Sequence, residues 1–80
     1  MTIKLDCEVL NGFIPAEKIV RIQAADGTWE EVVVSPRNLN GNRLEANEIQ
    51  READKVLVEL PRETASGLWR VWVKESSIGA

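Results

Sequence analysis

The chain has no histidine, no tyrosine, one cysteine (Cys7) and one phenylalanine (Phe13). Each scarcity removes a class of chemistry. A single cysteine cannot close an internal disulfide, and without histidine no tetrahedral Cys/His zinc site can be assembled. The same absence leaves Cys7 and the serines Ser35, Ser66, Ser76 and Ser77 without an imidazole base, so Cys-His or Ser-His nucleophilic catalysis is not expected. With tyrosine missing as well, few groups remain for general acid–base work. No enzymatic activity is expected.

Long apolar runs are absent too: none approaches the roughly 20 residues of a bilayer-spanning helix. Met1-Thr2-Ile3-Lys4 leads directly into alternating sequence without an apolar signal core, and no asparagine stands in an Asn-x-Ser/Thr context. A chain without disulfide, metal or leader is expected in the cytoplasm, with no membrane partner. The glycines of Asn11-Gly12, Asn40-Gly41 and Ser66-Gly67 are isolated turn signals, without the clustered glycines and lysine of a phosphate loop, so no cofactor is expected. Positive charge is also in deficit. Ten Lys and Arg against 13 Asp and Glu leave a net charge of −3, which opposes sequence-independent binding to nucleic acid or anionic lipid.

What the chain does have is enough apolar sequence, 44%, to fold rather than remain disordered, and 80 residues, enough for one small domain. The strongest pattern is alternation with a period of two between turn residues. Ile3, Leu5, Cys7 and Val9 alternate with Lys4, Asp6 and Glu8, predicting one strand that ends at Leu10-Asn11-Gly12. This row makes Cys7 a small core residue.

Lys18 to Ala24 and Thr28 to Val34 flank Ala25-Asp26-Gly27, a hairpin signal. A three-residue loop pairs Ala24 with Thr28, Ile22 with Glu30, Arg21 with Glu31 and Val20 with Val32. It gathers Val20, Ile22, Ala24, Val32 and Val34 on one face and sends Arg21, Gln23, Trp29 and Glu31 to the other. A two-residue Asp26-Gly27 loop would mix Glu31 with Val20 and Ile22, and a one-residue slip flips a whole face, so the first register is preferred.

Ser35 to Asn42 reads as a loop. Leu44 to Asp54 is ambiguous: Ala46, Ile49 and Ala53 recur at helical spacing, whereas Leu44 and Ala46 also alternate. A short strand or one or two helical turns fit equally. On the helical alternative Glu45, Glu48 and Glu52 share a face, although thirteen acids in a small domain make chance neighbours, and a solvated surface is the plainer reading. Lys55 to Leu60 predicts a strand burying Val56, Val58 and Leu60. After a polar loop from Pro61 to Gly67, Leu68 to Lys74 predicts the last strand. It places Trp69, Val71 and Val73 on the inner face, with Trp69 as main core anchor, and Leu68, Arg70 and Trp72 on the other.

These segments predict a mostly β, single-domain fold over residues 1–75, a five- to six-stranded antiparallel barrel or rolled sheet, with 76–80 a frayed tail. An SH3-like barrel is the first expectation and an OB-like barrel the second, with one short helix in 44–54 as a variant.

The feature above background is the aromatic and guanidinium inventory. Tryptophan and arginine are enriched in binding hot spots, and they stack on bases and cations. Trp72, Arg70 and Leu68 form an outward row, and Trp29 lies outward beside Arg21; the alternative is that a barrel folds both faces of a strand inward at its bends, or that a loop covers Trp72. Arg37 and Arg43 flank the 35–42 loop, while Arg62 and Arg70 flank the 61–67 loop. Were the two loops to meet, four guanidinium groups would surround Trp72 and recognise an anion or a carboxylate. The plainer alternative pairs these arginines with nearby acids such as Glu59 and Glu63.

No motif selects a function. The expectation is a non-enzymatic interaction module, monomeric or homodimeric, that binds a protein or peptide partner through Trp72, Arg70, Leu68, Trp29, Arg62, Arg37 and Arg43. The alternatives are a single-stranded nucleic-acid-binding barrel and a structural oligomer subunit.

Overall fold

The hairpin that alternation predicts over 18–34 supplies two of the three strands of the small sheet. In the computed structural model, which describes residues 1–79, β3 (Lys18–Gln23) and β4 (Trp29–Val34) pair with Val20 opposite Val32, Arg21 opposite Glu31 and Ile22 opposite Glu30. The Ala24 N–H donates to Thr28 O at 2.8 Å and the Gly27 N–H to Ala24 O at 2.9 Å, closing the three-residue loop. Gly27 has φ +94°, a conformation open to glycine because it has no Cβ. Val20, Ile22, Val32 and Val34 are buried, while Trp29 is 46% exposed on the opposite face.

The expected strand from Ile3 to Val9 is instead two, β1 (Thr2–Asp6) and β2 (Glu8–Asn11), broken at Cys7. The Cys7 N–H and thiol both donate to Asn42 O, at 3.1 and 3.3 Å. The chain there leaves one sheet and enters the other, so the alternation Ile3, Leu5, Cys7, Val9 spans two different partners. Ile3 and Leu5 are buried, whereas Cys7 is half-buried against the core edge rather than within it.

The 35–42 loop folds into a 3-10 turn at Pro36–Asn38, capped by the Ser35 hydroxyl, and a short β5 (Leu39–Asn40). The ambiguous stretch that follows is a long strand, β6 (Arg43–Glu52), and the helical alternative is not realised. Leu44 and Ala46 are buried on one face and β6 finds antiparallel partners on both sides, β1 and β7 (Lys55–Glu59). Ladder bonds on two edges outweigh local helix propensity. A bulge between Glu48 and Gln50 leaves Ile49 as the extra residue, 41% exposed. The helical face of Glu45, Glu48 and Glu52 is thereby lost, and Glu48 meets Arg51 at 2.9 Å.

β7 buries Val56 and Val58 as expected, with Leu60 just beyond it, and β8 (Arg70–Lys74) buries Val71 and Val73. Trp69 does not anchor the core: it is 53% exposed. It stands in the bend before β8, at the rim of the sheet. There the returning loop inserts Thr64, 4% exposed, whose hydroxyl accepts the Leu68 N–H at 3.0 Å. The tail is likewise not loose through residue 79. A 3-10 turn at Glu75–Ser77 leads to β9 (Ile78–Gly79), which pairs with β1, and Ile78 packs on the core; Ala80 lies outside the described residues.

The strands form two antiparallel sheets, β8-β7-β6-β1-β9 with β5 beside β6, and β2-β3-β4. Among the described residues there are nine strands and no α-helix. The nine exceed the expected five or six because of the break at Cys7 and the two-residue strands β5 and β9. One cluster of valines, leucines and isoleucines joins the facing sheets. No helix among the described residues is long and apolar enough to cross a membrane.

Candidate functional site

A groove of about 540 Å³ runs between the outer edge of β8 and the tip of the β3–β4 hairpin, within the size range of ligand clefts. Leu68, Arg70, Val71 and Trp72 form one wall. The hairpin tip supplies the other through Ala24, Ala25, Asp26, Thr28 and Glu30, and Glu52 and Lys55 line an end. The two walls are tied by one backbone bond, from the Ala25 N–H to Trp72 O at 2.7 Å, and a second link runs from the Ala65 N–H to Glu31 O at 2.7 Å.

Strand pairing explains the first wall. Trp72 stands opposite Leu57 and Arg70 opposite Glu59, with Val71 and Val73 turned to the core. Trp72 is half-buried, while Leu68 is 43% exposed. The Arg70 Nε–H donates to Glu59 at 3.1 Å, an exposed pair worth little to stability.

The second wall is fixed by the turn. The Asp26 carboxylate accepts the Thr28 hydroxyl at 2.6 Å and the Thr28 N–H at 3.0 Å, and these two bonds, the side-chain one first, hold its pKa below the usual aspartate value. Glu30 accepts the Ser66 hydroxyl at 2.6 Å. The groove thus carries an apolar strip flanked by carboxylates and two cations, Lys55 and Arg70.

Trp29 lies outside the groove, on the outer face of the same hairpin, where the Arg21 guanidinium sits 4.9 Å from its ring centroid. Arg21 also reaches Glu8 at 3.1 Å and Glu31 at 3.9 Å. The four arginines do not converge on Trp72. Arg43 lines a separate depression with Lys4, Asp6, Asn40 and Asn42 and meets Asp6 at 3.3 Å. Arg37 occupies the 3-10 turn and Arg62 the 61–67 loop, both exposed, and neither lines the groove. Arg70 alone of the four stands beside Trp72. Loop proximity does not follow from sequence order, which is why the ring of guanidinium groups was not realised.

Alternation along one strand located the Leu68-Arg70-Trp72 wall but had no means of locating the wall across from it. The hairpin tip faces β8 through the packing of the two sheets, which leaves no periodic mark. Trp69 and Phe13, 53% and 94% exposed, were also missed as surface groups. Among the described residues no group of three or more acids or thiols stands placed to hold a metal ion. The chain matches no family model, no curated protein and no solved structure.

Proposed function

We propose that the chain is a non-enzymatic interaction module that takes a peptide segment of a protein partner into the groove between β8 and the β3–β4 tip. The observation that carries this reading is the placement of Leu68, Arg70 and Trp72 on one open wall: an exposed aliphatic, a guanidinium and a half-buried indole. An indole with one face packed and one accessible supplies contact area at little entropic cost, and neighbouring carbonyls and carboxylates fix a polar backbone. The Trp29–Arg21 stack on the adjoining face extends the surface available to a larger partner.

We read the two sheets as one rolled, partly open barrel of the SH3-like kind, with the OB-like arrangement second. The bonds from Ala25 to Trp72 and from Ala65 to Glu31 support rolling, since each ties the small sheet to β8 or to the loop that precedes it. A cytoplasmic setting belongs to the same proposal.

The test is affinity capture from native lysate with wild type and Trp72→Ala side by side, followed by titration of the captured partner. Trp72→Ala is expected to lower affinity by 2 kcal/mol or more, a typical hot-spot loss of about thirtyfold, while the domain stays folded. Equal capture by both proteins would remove the groove from the account.

A further inference from the structure

Of the terminal strands longer than two residues, one has an outer edge that no backbone bond from elsewhere among the described residues bridges. The outer edge of β8 is bridged by the Ala25 N–H at Trp72 O, and that of β4 by the Ala65 N–H at Glu31 O. β2 ends the small sheet, and no strand pairs on its far side among the described residues. Its sequence Glu8-Val9-Leu10-Asn11 holds no proline, no lysine and no bulge, and its edge is blunted only by its length of four residues and the charge of Glu8.

Hydrogen-bond direction fixes which groups this edge offers. Ala24 N–H donates across to Thr28, so the even residues of β3 point their backbone groups at β4, and Ile19 and Arg21 point theirs at β2. Their partners Leu10 and Glu8 therefore point inward to β3, in agreement with the Gly12 N–H donating to Glu17 O. Val9 and Asn11 are left with N–H and C=O directed away from the sheet.

Side chains complete the pattern. Leu10, Ile19 and Val33 stand in one cross-strand row on the outer face, with Leu10 47% and Val33 39% exposed. The next row is Glu8, Arg21 and Glu31, in which Arg21 holds both acids.

We propose that β2 pairs antiparallel with β2 of a second copy of this chain, about a two-fold axis between the two Leu10 residues. In this register Val9 of each copy faces Asn11 of the other, and the two pairs exchange four backbone hydrogen bonds. Centring on Val9 instead would bring Asn11 opposite Cys7, whose N–H is already held by Asn42. Centring on Asn11 would bring Val9 opposite Phe13, in the loop beyond the strand. The Leu10-centred register alone uses all the free groups. It joins the apolar rows of both copies into one band across six strands, and it sets Glu8, which Arg21 of its own copy holds, opposite Gly12 of the second copy, so the one acid of β2 does not face its own equivalent.

The interface is small. A standard protein–protein contact buries about 800 Å² per partner, and four strand residues with the exposed Phe13 and Ile14 nearby provide less, so the dimer is weak and concentration-dependent.

The experiment is sedimentation equilibrium over a concentration series on wild type, Leu10→Glu and Leu10→Lys, with circular dichroism confirming that each is folded. Wild type is expected to rise from the 9.0 kDa monomer toward twice that mass. Each variant alone places like charges across the axis and should raise the dimer dissociation constant at least about tenfold. Mixing the two variants in equal amounts places Glu opposite Lys and should restore association. A wild type that stays monomeric at millimolar concentration, variants that associate as wild type does, or a mixture no tighter than its components would each overturn the proposal.

Discussion

The Ala25 N–H donates to the Trp72 carbonyl at 2.7 Å, joining the tip of one hairpin to the edge strand of the other sheet. Because the acceptor is backbone, replacing the Trp72 side chain leaves the bond in place, and the groove wall and the sheet junction can be tested separately.

Ala25→Pro removes the donor alone. Ala25 is the second residue of the turn that Gly27 N–H closes on Ala24 O, a position where proline's fixed φ is favoured. The lost bond costs about 1 kcal/mol, and proline's restriction of the unfolded chain offsets a similar amount. Global stability should therefore change by less than about 1 kcal/mol. The Trp72 emission, read with Trp29 and Trp69 replaced by Phe, should shift to the red as the groove opens. Unchanged emission would show that the bond does not shape the groove.

Among the described residues Ala53 is the one non-glycine with a positive φ. Ala53 has φ +52° in the two-residue connection between β6 and β7, so Ala53→Gly should stabilise by about 0.5–1 kcal/mol, the left-handed penalty less the entropy cost of glycine. Gly27→Ala should act in the opposite sense by about 1–2 kcal/mol, although a Cβ there meets no atom within 4 Å, because its φ is +94°. Denaturant unfolding of both variants measures the pair.

Burial, with the neighbouring Asp6 second, pushes the Cys7 thiol up to about 11 from an ordinary 9.0. The unfolded chain therefore ionises first as pH rises. The stability difference between wild type and Cys7→Ser should be constant below pH 9 and shift against wild type between pH 9 and 11. At pH 8 the native thiol should react with a disulfide reagent more slowly than the unfolded thiol does. Equal rates would place Cys7 in open solvent.

Asp26 carries the opposite sign. Its depressed pKa contributes stability above the ordinary aspartate value of 3.8, and this contribution is lost as pH falls through the lowered value. Asp26→Ala, which removes the acceptor for both Thr28 bonds, should reduce stability at neutral pH and flatten the acid limb of the pH–stability curve. Asp26→Asn, which keeps an acceptor oxygen, should retain more of the neutral-pH stability.

What was legible in sequence was whatever a strand pair decides locally. The Val20–Val32 register followed from the demand that one face be apolar, and Val56, Val58, Val71 and Val73 followed from alternation next to defined turns. Alternation misled where a ladder changed partners or ended. Cys7 continues the row of Ile3 and Leu5 in sequence, yet the chain changes sheet there, and Trp69 continues the row of Val71 and Val73 but falls at the rim. The β6 stretch was undecided because its helix-forming residues compete with pairing on two edges, and those edges belong to segments distant in sequence. Half of the candidate groove was visible as Leu68, Arg70 and Trp72. The hairpin wall was not, since it arises from how two sheets face each other.

The most direct measurement is a ¹H–¹⁵N spectrum of the labelled protein titrated with the captured partner. Binding in the groove predicts that the Trp72 indole and the Ala25, Thr28 and Arg70 amides shift first, with the Leu10, Ile19 and Val33 amides unmoved. Shifts confined to Leu10, Ile19 and Val33, with Trp72 unchanged, would contradict the assignment of the β8 groove as the binding site.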